Sequence, residues 1–178
     1  MHQTENQPHS NLIPANPGQT NPEKALEIAA ESMRSGRLSQ ARDHLESILE
    51  HDPDNYQALF MLGRIFMTYK NYPEAIGVHT KLVDHHPQDA KAHNALGTSL
   101  VMDGQNDQAT RHFQRAVELA PQNRAYLANW GKLLMMQERW EEAEQSLQRA
   151  RAFAQGAALV DIENLLVHCR TNRMLAQT

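Results

Sequence analysis

The chain has 178 residues, with 17 Lys and Arg against 21 Asp and Glu, for a formal net charge of −4. A slightly acidic chain with 6% aromatic residues lacks the basic surface and the stacking platforms that nucleic-acid binding uses, and no apolar run approaches the roughly 18 residues that span a bilayer. The length suits one domain or one short repeat array. The lone Cys169 excludes an internal disulfide framework and a cysteine-rich zinc site, which makes the reducing cytoplasm the default compartment.

Residues 1–21 carry Pro8, Pro14 and Pro17 among many Asn and Gln, with Leu12-Ile13 as an isolated apolar pair. Such a segment buries too little apolar surface to offset its ordering entropy, and it has neither the basic start nor the apolar run of a signal peptide. It is expected to be a disordered leader.

From residue 22 onward the sequence repeats. Gly63, Gly97 and Gly131 are spaced by 34 residues, as are Ala41, Ala75, Ala109 and Ala143, and Pro53, Pro87 and Pro121. Between these columns the apolar residues follow helical spacing. The first unit starts with Asn21 as N-cap and Pro22 at the first helical position, runs through Ile28 to a break at Ser35-Gly36, and continues through Ala41, Leu45 and Ile48. The second has Leu59, Leu62 and Phe66, a turn at Lys70-Asn71-Tyr72, then Ala75, His79 and Leu82. The third has Leu96, Gly97 and Leu100, a turn at Asp103-Gly104, then Ala109, Phe113 and Ala116. The fourth has Leu127, Trp130, Gly131 and Leu134, then Ala143, Leu147 and Ala150. Gly63 and Ala75 are expected where two helices cross, so the glycines serve packing and form no phosphate loop. Each proline blocks its helix from propagating.

The pattern Leu59-x2-Leu62-Gly63-x2-Phe66, followed by Ala75 and Pro87, resembles the tetratricopeptide repeat, a helix–turn–helix unit of this period. The resemblance runs from residue 22 to about 155. It departs in the first unit, where Ala25, Ala29 and Ser32 replace larger or glycine residues, and in the fourth, which ends in Gln155-Gly156. There Trp130 also sits one turn later than the family's habitual tryptophan. The resemblance implies an all-α, right-handed superhelical solenoid of antiparallel helix pairs. It divides into units 22–55, 56–89, 90–123 and 124–156, with 157–178 as a C-terminal capping helix and tail. That helix should turn Leu159, Ile162, Leu165, Leu166 and Cys169 onto the fourth unit. Cys169 is then an inert core thiol, and Arg170 and Arg173 suit the helix dipole.

In such arrays the first helix of each pair lines a concave, peptide-binding face. Carried over residue by residue, that face presents Leu26, Met33 and Arg34 from the first unit, and Phe60, Arg64 and Met67 from the second. The third gives Lys91, Asn94, Thr98, Val101 and Met102, and the fourth Lys132, Met135 and Met136. Met33, Met67, Val101 and Met135 form a row flanked by Met102 and Met136, an adaptable apolar strip. Arg34, Arg64, Lys91 and Lys132 share the face with one carboxylate, Glu23, so the groove should be positive and suit a partner segment with apolar anchors and acidic groups. Leu26 and Ala30 stand where cochaperone arrays that clamp a Glu-Glu-Val-Asp terminus place Lys and Asn, which rejects that assignment.

The remaining constellations suggest no chemistry. His85-His86 and His93 have no Glu or Cys at zinc spacing. The cluster Glu138, Glu141, Glu142 and Glu144 reads as dipole compensation at a helix start. His79 and His93, in columns otherwise apolar, are expected near each other where units two and three meet, forming an acid-sensitive joint. With no catalytic triad or phosphate loop, the sequence reads as a non-enzymatic scaffold or assembly factor. It would bind a protein or peptide, without cofactor, metal, nucleic acid or membrane insertion, and its oligomeric state stays open. A chaperone resembling those of type III secretion and a regulatory subunit of an enzyme are the alternatives.

Overall fold

The computed structural model describes residues 21–176, so the leader, Leu12-Ile13 included, lies outside the described residues except for Asn21. The described chain is all-α: α1 (Pro22–Arg34), α2 (Leu38–His51), α3 (Tyr56–Thr68), α4 (Tyr72–His85), α5 (Ala90–Met102), α6 (Asn106–Leu119), α7 (Arg124–Met136), α8 (Trp140–Ala152) and α9 (Gly156–Leu175). Each helix packs on the next, and α1 on α3, α5 on α7 and α7 on α9 also touch. This is a right-handed solenoid of antiparallel pairs.

Local chemistry repeats with the period. Asn21, Asn55, Asp89 and Asn123 each cap the first helix of a unit, their side-chain oxygens accepting a backbone N–H of the first turn. The second helices have no such cap. Every first helix ends on a left-handed residue, in order Gly36, Lys70, Gly104 and Glu138, with φ of 74°, 57°, 81° and 59°. The N–H of the following residue reaches back to the last turn, as Asn71 does to the Phe66 carbonyl at 2.9 Å and Arg139 to the Leu134 carbonyl at 2.9 Å. Two of these four positions accept a side chain where glycine is the relaxed choice.

The glycine columns do pack helices closely, and the side chain nearest each one is a large residue of the second helix, with the Ala143 carbonyl also 3.5 Å from the Gly131 position. A Cβ on Gly63 would run into the His79 imidazole, one on Gly97 into Phe113 at 2.9 Å, and one on Gly131 into Leu147 at 2.8 Å. The missing side chain is therefore filled by the large residue of the second helix. In the first unit Ala25, Ala29 and Ser32 form the buried face of α1, alongside Ala41 and Leu45. At the other end Ile162, Leu166 and Cys169 of α9 bury against Leu127, Leu134 and Leu147.

Candidate functional site

The predicted binding face comes from α1, α3, α5 and α7, and three hollows open between neighbouring helices on it. A cleft of about 570 Å3 is lined by Ala30, Met33, Arg34, Leu38, Met61, Arg64 and Thr68. At the far end, about 190 Å3 is enclosed by Thr98, Val101, Met102, Phe113, Asn129, Lys132, Leu133 and Met136. A third hollow of about 330 Å3 adjoins it, formed by Lys132, Met135, Met136, Trp140, Leu165 and His168. Lys132 and Met136 line both of the last two, so these adjoin as one mainly apolar trough with Lys132 in the wall they share.

The methionine row divides in two. Met33 packs on the first-unit core, Val101 on the third and Met135 on the fourth. The sulfur of half-buried Met67 accepts from the Ser99 hydroxyl at 3.2 Å. All four are half-buried, because a residue facing the seam between units is pressed from both sides. Met102 and Met136, one residue further round their helices, are 51% and 56% exposed. Leu26 is half-buried against the first core.

Phe60 belongs to the seam as well. Its ring stacks on Tyr56 with centroids 6.2 Å apart and lies beneath Lys91, whose Nζ is 3.7 Å from the ring centroid. That cation–π contact holds Lys91. Arg34 is also engaged, paired with Glu31 at 2.6 Å. Burial first, and then the neighbouring Asp89 carboxylate, holds the Tyr56 pKa up, so Asp89 brings further negative charge to this face. The positive field is thus narrower than the sequence suggests. Among the described residues Arg64 and Lys132 have no carboxylate partner, and each stands at a hollow. Asn94 accepts from Asn129 at 3.0 Å, and the Thr98 hydroxyl donates to the Asn94 carbonyl at 2.8 Å, so these polar groups already satisfy one another. Sequence reasoning missed Asn129, Trp140, Leu165 and His168. The last two could have been found by treating α9 as the first helix of a fifth unit, since it touches α8 and α7 as α7 touches α6 and α5.

His79 bonds across the junction of units two and three, and His93 bonds within the third and to the Pro87 carbonyl. His79 and His93 make separate contacts. The buried His79 places Nδ1 2.8 Å from Ser99 Oγ, while its Nε2 has no partner among the described residues. A lone pair left bare costs less than a bare N–H, which puts the proton on Nδ1. Burial pulls this imidazole down to a pKa of about 4. His93 Nε2 lies 3.1 Å from the Pro87 carbonyl, which can only accept, so Nε2 carries the proton and Nδ1 accepts from His112 Nδ1 at 3.1 Å. Burial first, then the neighbouring His93 and Arg111, lowers the His112 pKa. No group of three or more His, Cys, Asp or Glu able to hold a metal occurs among the described residues.

The acidic cluster also divides. Glu141 and Glu142 lie in the first turn of α8, but Glu138 is the left-handed turn residue. Glu144, 12% exposed, takes Arg170 Nε at 2.7 Å and Arg173 Nη1 at 2.6 Å. It joins α8 to α9 through both arginines, and Arg173 also stands in the last turn of α9, where a cation suits the dipole. Cys169 is fully buried with its sulfur 3.3 Å from the Trp140 carbonyl, and burial raises its pKa.

No described helix is long and apolar enough to cross a membrane. The chain is similar to DnaJ homolog subfamily C member 3 of Gallus gallus, at 25% identity over 147 residues that cover 83% of this chain and 29% of the relative. It is 31% identical over 94 residues to cellulose synthase operon protein C of Komagataeibacter sucrofermentans, covering 52% of this chain and 7% of that protein. This chain thus spans under a third of the length of the curated relatives it matches. Among solved structures, a MamA crystal structure superposes with a TM-score of 0.71 at 18% identity, over 84% of this chain and 86% of that one. MamA 41-end from Desulfovibrio magneticus RS-1 gives 0.69 at 22% identity over 75% of each chain. At these identities the structural likeness speaks for the fold alone. The family model of the tetratricopeptide repeat matches residues 32–98 and 100–162, and with capped helix pairs repeating across the same span, the chain belongs to the tetratricopeptide repeat family.

Proposed function

We propose that this chain is a protein-interaction scaffold that holds a partner segment across the α5–α7–α9 end of its inner face. The observation that carries the reading is the trough around Lys132: Met102 and Met136 line it and stand exposed, and Lys132, which lines both halves, has no carboxylate partner among the described residues. A matching segment sets an apolar side chain on either side of an acidic group. The apolar groups leave water on flexible methionine, and the acid is steered to Lys132. If the segment is disordered when free, ordering it costs roughly 2–5 kcal/mol of the gross interaction, which favours moderate affinity and ready exchange. Arg64 and the first cleft supply a second contact for a longer segment. The reducing cytoplasm is the compartment proposed for it, and a buried thiol is compatible with that.

A displayed random-peptide library panned against the full chain tests this. Enriched peptides should carry an acidic residue between apolar ones and lose binding to a Lys132→Glu/Met136→Glu variant of unchanged helicity. Retention by that variant, with loss on Arg64→Glu, would move the site to the first cleft and overturn the assignment.

A further inference from the structure

Helix α9 is apolar on two opposite faces. One face buries Ile162, Leu166 and Cys169 against the fourth unit. On the other, Val160, Val167 and Met174 are 56%, 63% and 67% exposed. They fall at i, i+7 and i+14, with Asn164 and Thr171 between them, so five successive positions along this face carry no charge. The Thr171 hydroxyl is engaged by the Val167 carbonyl at 3.0 Å. Glu163 and Arg170 border one edge of the strip, and Asp161 and His168 the other.

We infer that this face docks against the same face of a second copy of the chain, with the two α9 helices antiparallel about a two-fold axis at Val167. The register is self-complementary. An axis through Val167 sets it against its own counterpart, Val160 against the second copy's Met174, and Asn164 beside the second copy's Thr171. A two-fold keeps each edge on its own side, so Glu163 meets the second copy's Arg170, and the reverse pair forms as well. A parallel pair, whose two-fold axis runs along the helices, would exchange the edges and set Glu163 beside the second copy's Asp161 and Arg170 beside its His168. Glu144 already holds Arg170 through Nε, which fixes the side chain, and that side chain stays 47% exposed. An isologous contact of this kind closes at two copies.

Sedimentation velocity on the full chain from roughly 1 to 200 μM should show a monomer–dimer equilibrium. Val167→Glu, helicity unchanged, should weaken it by about 100-fold or more, because it buries two like charges on the axis. Cysteine cross-linking checks orientation independently of any fold defect. Val167→Cys should link to itself, and Val160→Cys should link to Met174→Cys in an equimolar mixture. Cys169, buried and raised in pKa, does not compete. A monomer throughout the range would overturn the inference, and so would Val160→Cys linking preferentially to itself. A full chain that is monomeric and dimerises only after removal of residues 1–20 would also overturn it, by showing that the leader covers α9.

Discussion

His79 makes stability depend on mild acid, and the size of the effect follows from its surroundings. The imidazole is 2% exposed, sits against Gly63 and bonds through Nδ1 to Ser99. Its folded pKa is about 4, against an ordinary histidine value of 6.5. A histidine held neutral in the native state gives stability that is whole above the unfolded pKa. The loss begins as pH falls through 6.5 and ends near 4, where the native state also takes the proton. At 1.36 kcal/mol per pKa unit the full loss is about 3 kcal/mol, of which about 2 kcal/mol falls between pH 7 and pH 5. His112, also lowered, adds in the same direction. Glu142 and Glu144 are held below the usual carboxylate range by their arginines, so their contributions persist until about pH 4.5 and leave the window above pH 5 to the histidines. The control is His79→Leu, since Leu147 occupies the equivalent place against Gly131. Urea unfolding at pH 7 and pH 5 should show the wild type losing about 2 kcal/mol more than this variant. Equal losses in the two proteins would refute the assignment of the acid sensitivity to His79.

Three further outcomes follow from the packing. Lys70→Gly and Glu138→Gly relax left-handed residues and should each raise stability by about 0.5–1 kcal/mol in urea unfolding. Gly97→Ala drives a Cβ into the Phe113 ring and should cost about 1–3 kcal/mol in the same assay, less once Phe113 is cut to Leu. Glu144→Ala frees Arg170 and Arg173. It should cost about 1 kcal/mol and speed amide exchange in α9 above that in α5.

The solenoid was legible because its construction is periodic: one column of small residues and one of alanines mark every helix pair, prolines follow the first three, and a one-dimensional array maps directly onto a repeat. The face of each first helix could likewise be assigned by helical phase. Phase does not say how far neighbouring units close over a residue. Met67 and Met102 both point toward the binding face on phase, yet Met67 is pressed into the seam beside Ser99 while Met102 stands free. Charge balance on the face depended on rotamers, which placed Lys91 over Phe60 and Arg34 on Glu31. The His93–His112 pair joins neighbouring helices through residues 19 apart, a separation that the 34-residue repeat does not advertise. Glu144 looked like a helix-start charge because its partners lie on α9, beyond the repeats.

The most direct test of partner recognition uses the chain's own methionines, eight in all, as methyl NMR probes. With their methyl carbons labelled, the full chain is titrated with a peptide enriched in the library selection, at a chain concentration where sedimentation shows a single species. Met102 and Met136 should shift most, with Met135 following, while Met33 and Met61 stay in place and Lys132→Glu abolishes the response. Saturable binding that moves Met33 and Met61 but none of the methionines on α5 and α7 would refute the trough around Lys132 as the binding site.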